Sequence, residues 1–540
     1  MIDFITRKLR RQDSYEQFNS DGIRSYKSRF DLMRLSAVVC GIEFCYAAET
    51  AFVSPILLQI GIPVVLMTWT WCLPPLIGFL LVPALGSLSD RLLTPFGRRR
   101  PFILLYSIGI LIGLILVANG RILGEWFGDT RFQMISKDSI FNGTRIEKYV
   151  KVASPLSSRK FGTILTVFGV FLLDLDCDAC QSPSRAYLLD VTNPDQHAAG
   201  LSTFTFMAGL GGCLGYFLGG IPWERTFLSN ILGDHIHVVF TLVWLIYIVC
   251  AISTLTAVKE PANLTVTAPN LMRSSSRQCI MSAGTFHDDS DEHYTRNYSR
   301  CESLSTENQR VSYFDYIRSI IYMPSSLRWL CLTNFFCWMA LVSYSLFFTD
   351  FVGQAVFGGN PKLARDHPLR LLYNEGVRFG SWGMSIYSIS CSIYSYNIEA
   401  LNNYFGIKRV YIGSQLIYAV GMLLMGYVRH RAGVIILSAA AGVLYSTLFT
   451  IPYLLISKYH ASNTFDQSNG LSISGQVRGI GTDVAVVSSM VFLAQLCLSS
   501  TMGTLIHLAG STVVVTIVAS FLSICGAISA TKVLYVSETT

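Results

Sequence analysis

Gly86–Pro101 reads GSLSDRLLTPFGRRRP and joins two long apolar segments, residues 65–88 and 101–122. It sets Asp90, Arg91, Arg98, Arg99 and Arg100 in a short loop at the edge of hydrocarbon, with Gly86 and Gly97 among them. Short basic loops of membrane proteins face the cytosol, so this stretch marks a cytoplasmic side. Arginines alone would only anchor that orientation. The glycines and Asp90 go beyond an anchor and favour a moving part.

Working outward, 51% of the 540 residues are apolar and 14% charged, where a soluble domain carries about 25% charged. Such a chain is embedded in a membrane. Its formal net charge of +7 is spread over tails and loops, which reads as orientation and not as nucleic-acid binding. The first 30 residues are polar and basic, without the apolar core of a cleavable signal. Cys40, Cys45, Cys72, Cys213, Cys250, Cys331, Cys337, Cys391, Cys497 and Cys525 lie in apolar segments, where cysteine behaves as a small hydrophobe. Cys177 and Cys180 form a CxxC inside a helix, with no second pair beside it. No metal site is expected there, nor a disulfide framework in the outer loops.

About 20 apolar residues span a bilayer as a helix. Twelve such runs are present, at about 32–60, 65–88, 101–122, 161–183, 201–221, 236–258, 327–350, 379–401, 409–428, 432–456, 483–503 and 510–532. The expected fold is therefore an all-α membrane protein with twelve transmembrane helices in two six-helix halves. Its parts are a cytoplasmic tail (1–31), a first bundle (32–258), a polar cytoplasmic linker (259–325), a second bundle (326–534) and a short cytoplasmic tail (535–540). The linker is rich in Ser, Asp, Glu and Arg and poor in apolar residues, so it should be disordered. Residues 121–160 fall outside, although they hold eight Lys or Arg against four acidic residues. The sequon at Asn142 supports that placement and makes Asn142 the expected glycosylation site. Asn263 and Asn297 also head sequons, but in the linker. The halves share a faint repeat: Phe96-Gly97-Arg98-Arg99-Arg100 opens the third span and Phe405-Gly406-Ile407-Lys408-Arg409 the ninth.

Ionisable groups inside spans cost about 2.5–3.5 kcal/mol each on insertion scales, so they persist where they face a cavity or a partner. The fourth span concentrates them in LLDLDCDACQSPSRAYLLD, with Asp174, Asp176, Asp178, Arg185 and Asp190. At about 100° per residue, Asp174 and Asp178 lie about 40° apart with Arg185 between their directions, and Asp176 points away. Pro183 should kink this helix. Two carboxylates and a cation on one face suit proton coupling, because burial and mutual repulsion favour a protonated carboxyl. The same three groups would also serve as structural ion-pair members. Glu43 and Glu49 occupy different faces of the first span. Asp350 closes the seventh span, Glu399 ends the eighth, and Asp483 begins the eleventh, where it can complement the helix N-terminus.

At these residues the chain resembles the animal membrane-associated transporter family of sugar–proton carriers and, more distantly, the plant sucrose–proton symporters, both in the major facilitator superfamily. The Gly-x3-Asp-Arg…Gly-Arg-Arg pattern of the opening stretch is that superfamily's loop after its second helix. Further matches are CYAAETAFVSPILLQIGIP (45–63), LLDLDCDACQSPSRAYLLDV (172–191), AGLGGCLGYFLGGI (208–221), LFFTDFVGQAVFGG (346–359), YNEGVRFGSWG (373–383) and RGIGTDVAVVSS (478–489). The resemblance implies the major facilitator fold, with substrate held between the halves. It also implies that Asp174 stands where the plant carriers have their proton-coupling aspartate, and that Arg378 is a family arginine preceding the eighth span. A histidine of the plant carriers is Val64 here, and charged residues at their seventh-span outer end become Phe348, Gln354 and Ala355.

The reading is a carrier that moves a sugar, sucrose or a related di- or monosaccharide, together with a proton. Asp174 and Asp178 are the expected proton-coupling pair. Glu43, Glu49, Asp176, Arg185, Asp190, Asn334, Tyr344, Asp350, Arg378 and Tyr445 are candidates for substrate or coupling roles. The segment Gly86–Arg100 is the expected cytoplasmic gate. No cofactor is expected besides the proton, and no partner besides sugar and lipid. A sugar uniporter or an organellar proton-exchanging carrier is the alternative within transport. A polytopic enzyme or receptor is the alternative of another class, for which His235 and His237 are the nearest cluster.

Overall fold

The computed structural model describes residues 26–60, 64–92, 94–129, 134–141, 144–151, 160–221, 223, 226–233, 235–260, 323–361, 367–461 and 480–535. Asn142, the other two sequons and most of the linker lie outside them. The described residues up to Lys259 and from Pro324 onward belong to one compact unit.

A short helix α1 (Arg29–Leu35) opens the described chain behind a reciprocal cap, in which Ser28 Oγ accepts from Asp31 N–H and the Asp31 carboxylate accepts from Ser28 N–H. After a break at Ser36 follow α2 (Ala37–Ile60), α3 (Val64–Arg91) and α4 (Arg100–Trp126). Residues Met134–Phe141 (β1) and Thr144–Lys151 (β2) pair antiparallel in the loop beyond α4, a local hairpin outside the helical body. Then come α5 (Lys160–Val191), α6 (His197–Gly220), α7 (Phe227–Leu232) and α8 (His235–Leu255). The second half holds α9 (Ser325–Phe351), α10 (Pro368–Phe405), α11 (Ile407–Val428), α12 (Arg431–Ala461), α13 (Ile480–Ser488), α14 (Met490–Ala509) and α15 (Val514–Ala530).

Among the described residues, eight helical stretches are long and apolar enough to cross a membrane. Pro183 does not interrupt α5, which runs on to Val191 and carries Arg185 and Asp190 within one rod. Packed neighbours in a membrane protein supply what an interior proline removes. The eighth segment corrects the sequence reading: α10 begins at Pro368, well before residue 379, so Arg378 lies inside the helix instead of preceding it. Proline at the first helical position forfeits no hydrogen bond, and His367 caps the turn by accepting from Leu369 N–H.

The halves meet along two seams. On one, α3 packs against α13 and α14. A Cβ on Gly86 would stand 2.4 Å from the Ala485 Cβ, so only glycine allows this approach. On the other, α6 packs against α10 and α12. There Ser395 Oγ donates to Ser202 O at 2.6 Å, and Thr205 Oγ1 meets Thr450 Oγ1 at 2.9 Å. Small and hydroxylated residues at such contacts let backbones close in and bond where lipid offers no water.

Candidate functional site

The charged loop between α3 and α4 forms one buried junction. Arg99 is fully buried and binds two carboxylates, Asp90 through Nη2 and Asp190 through Nε at 2.9 Å. Arg98 Nη2 reaches the same Asp190 oxygen at 2.9 Å. Gly97 turns the chain with φ +119°, a conformation that glycine adopts without strain. Arg100 donates to Tyr187 Oη at 3.2 and 3.3 Å and lies over the Phe96 and Tyr187 rings. Asp190 therefore belongs to this junction and not to a substrate cavity. Of Arg91 only the backbone is described.

The partner of this junction comes from the other half. Asp90 accepts from the backbone N–H groups of Gly481 and Thr482, at 3.2 and 2.8 Å, and from Thr482 Oγ1 at 2.6 Å. A carboxylate on the free N–H groups of a helix start satisfies both those donors and the helix dipole. Asp90 of the first half thus caps α13 of the second. Asp483 is turned away from that role and bonds His460 Nε2 at 2.9 Å. A Cβ on Gly481 would stand 2.2 Å from Arg99 Nη1 and 2.7 Å from Asp90 Oδ1. The Gly86–Arg100 junction is thus tied to the start of α13 in the other half.

Deeper in the bundle, a second set of charges sits between the halves. Tyr46 donates to Asp178 Oδ1 and accepts from Gln181 Nε2 at 3.1 Å. Gln181 Oε1 accepts from Arg185 Nη2 at 2.9 Å. The Arg185 guanidinium then reaches across to α12, 4.4 Å from the Phe449 and Tyr453 ring centres, and lies 5.0 Å from that of Phe204. Stacking on rings suits arginine, whose planar and weakly hydrated cation tolerates burial. Tyr445 of α12 donates to Glu43 Oε1 of α2, a further bond between the halves. Glu49 and Asp174 complete the set, within electrostatic reach of each other and of Asp178.

Asp174 and Asp178 lie within electrostatic reach of each other but are provided for differently. Asp178 has a donor in Tyr46, whereas Asp174 Oδ2 is buried without one. Asp176 points elsewhere, as its phase requires: a Cβ on Gly109 of α4 would stand 1.7 Å from its Oδ2. Gly109→Ala should destabilise the carrier by about 1–3 kcal/mol through overpacking. Thermal unfolding in detergent would show this as a lowered midpoint, and Asp176→Ala on that background should restore part of it.

The second half faces this set with aromatic rings. Tyr445 packs on Phe449, Tyr387 and Trp338 with centroids 4.2, 5.4 and 6.2 Å apart, and Tyr344 stands 5.9 Å from Tyr387. Trp338 Nε1 is buried without a partner. Asn334 is held by its Nδ2 donating to Val487 O at 2.9 Å, while its Oδ1 is unpartnered. Flat apolar faces beside free donors and acceptors can bind a ring that carries hydroxyls. Two candidates fall outside this cluster. Asp350, in the last turn of α9, accepts from Gln354 at 2.8 Å and from Tyr373 of α10 at 2.9 Å. Arg378 is exposed on α10.

Sequence reasoning missed Tyr46, Gln181, Trp338, Tyr387, Phe449 and Thr482. Tyr46 alone had a usable signal, three residues from both Glu43 and Glu49 on one helix. Among the described residues, no three His, Cys, Asp or Glu side chains are placed to hold a metal ion.

No family model matches the chain. The membrane-associated transporter protein of Mus musculus is 34% identical over 510 residues, which cover 92% of this chain and 91% of that protein. The proton-associated sugar transporter A of Rattus norvegicus is 28% identical, covering 95% of this chain and 87% of its own. Among solved structures, the major facilitator proton:xylose symporter XylE superposes with a TM-score of 0.55 at 13% identity, covering 93% of this chain and 94% of that one. The E. coli fucose:proton symporter FucP gives 0.53 at 11%, covering 93% and 98%. At such identities the likeness concerns the fold: this is the major facilitator fold.

Proposed function

Because the chain belongs to the family of the membrane-associated transporter protein, we propose that it moves a sugar together with a proton by alternating access. One observation carries this reading: buried Glu43 and Arg185 of the first half both reach α12 of the second. A site built from both halves is remade whenever they rock, so its proton and substrate affinities change with the direction it faces. The names of the relatives, a proton-associated sugar transporter among them, support the same cargo.

The scheme has these parts. Twelve spans are counted by adding α2, α5, α10 and α15 to the eight most apolar stretches. Asp174 carries the coupled proton, Asp178 and Arg185 form its charged frame, and the rings around Tyr445 hold the sugar. Asp90, Arg99 and Asp190 latch the cytoplasmic side. One proton crossing 100 mV supplies about 2.3 kcal/mol, and each pH unit adds about 1.4 kcal/mol. Together they support roughly a hundredfold or greater accumulation of sugar at one to one.

Uptake of radiolabelled sucrose and glucose into transport-deficient yeast tests the cargo at two external pH values. Uptake should be faster at the lower pH and collapse when a proton ionophore is added. Uptake of either sugar that ignores the ionophore would identify a uniporter instead. The orientation has its own test in glycosylation. Asn142→Gln should remove a glycan and raise gel mobility, with Asn263→Gln and Asn297→Gln unchanged; a shift from either of the latter would break the topology.

A further inference from the structure

The carboxyl groups between the halves are not equally provided for. Glu43 accepts from Tyr445, and Asp178 accepts from Tyr46. Glu49 is 3% exposed with both oxygens buried and unpartnered, and Asp174 is 5% exposed with Oδ2 in the same condition. The two residues belong to neighbouring helices, α2 and α5, and act on each other electrostatically. Asp178 and Cys177 of α5 and Cys45 of α2 also face Glu49. The other ionisable groups packed on α2 face elsewhere, Tyr216 of α6 towards Glu43 and Tyr247 of α8 towards Cys45 and the α5 cysteines. Tyr106 of α4 faces Cys180 and Asp176. Arg185 acts on Glu43 and Asp178. Two desolvated carboxylates without donors cannot both stay ionised side by side.

We propose that Glu49 is the second member of the proton site and shares the coupled proton with Asp174. The inference rests on the sugar–proton reading. In the cycle one proton binds a carboxylate oxygen of the pair when the site faces the acidic side. The O–H bond breaks and the proton leaves to water when the site faces the cytosol.

Glu49→Gln removes the neighbouring charge and places an amide donor there instead, so Asp174 should hold its proton less tightly. The uptake profile per surface copy, from external pH 5 to 8, should move to acid by about one unit or more, a tenfold or greater loss of proton affinity. Glu49→Asp should restore most of the shift. A merely structural Glu49 would lower the surface amount and leave the profile where it was, and that result overturns the proposal. Proteoliposomes at zero membrane potential give a second readout that does not depend on how much carrier folds. Against a tenfold gradient of radiolabelled sucrose or glucose, a shared single proton reverses net flux at a pH difference of about one unit, in wild type and in Glu49→Gln alike. Reversal at about half a unit means that the two carboxyls carry two separate protons, which overturns sharing. Flux that ignores the pH difference defeats the sugar–proton reading itself, an outcome distinct from both.

Discussion

Asp174→Asn will abolish concentrative uptake while the carrier still reaches the membrane. Asparagine imitates a permanently protonated aspartate in shape and charge, so a proton can be neither taken up nor released at that atom. Asp174 Oδ2 is buried without a donor, so asparagine forfeits no hydrogen bond at that atom and folding should survive. Exchange of labelled for unlabelled sugar across the membrane should persist, because that half-cycle does not require the proton to leave. Uptake against a gradient should fall to the equilibrating limit, roughly a hundredfold below wild type where one proton is driven by 100 mV and a modest pH difference. Asp176→Asn, on the α4 side of the helix, should retain most uptake. If both substitutions only lower the amount of folded carrier, with uptake per copy and its pH dependence unchanged, the carboxyls are structural. An Asp174→Asn carrier that still accumulates sugar would defeat the assignment outright.

How much of this was legible beforehand depends on charge. In a chain that is 51% apolar, every ionisable residue inside a span stands out. Asp90, Arg99, Asp174, Asp178, Arg185 and Glu43 could therefore be named before any contact was known. Their partners could not. The backbone N–H groups of Gly481 and Thr482 complete the gate from almost 400 residues away, and no side-chain pattern announces a backbone donor. Tyr387, Phe449 and Trp338 were hidden because an aromatic residue within a span reads equally as core, lipid contact or binding surface. Asp190 was misplaced for a geometric reason: α5 continues past Pro183 and carries it a further two turns, down to the gate. Arg378 was misplaced because residues 368–378 are too polar to look like part of a span, although Pro368 marks a helix start. The partners of Asp350, Gln354 and Tyr373, were not legible because they carry no charge to betray them.

Substitutions at Arg99 and Asp90 should move the conformational equilibrium more than any others. Arg99 is fully buried and bridges Asp90 and Asp190, so Arg99→Leu leaves Asp190 with Arg98 alone and Asp90 with no cation. Breaking one buried pair in this way costs about 3–5 kcal/mol, and the cost falls only on the state in which the junction is assembled. A bias of about 3 kcal/mol changes the ratio of closed to open carriers more than a hundredfold. Asp90→Asn is gentler. An amide oxygen can still accept from Thr482 N–H, but the attraction to Arg99 and to the α13 dipole is lost. Reporter cysteines at the two mouths, placed in a background without reactive native thiols, read the outcome. Both variants should gain reactivity at the Gly86–Arg100 mouth and lose it at the opposite one, Arg99→Leu more than Asp90→Asn. Glycan and surface labelling should show both proteins inserted. Equal labelling at both mouths in wild type and variants would reduce the segment to an orientation signal, because a latch between rocking halves cannot be removed without changing which mouth is open.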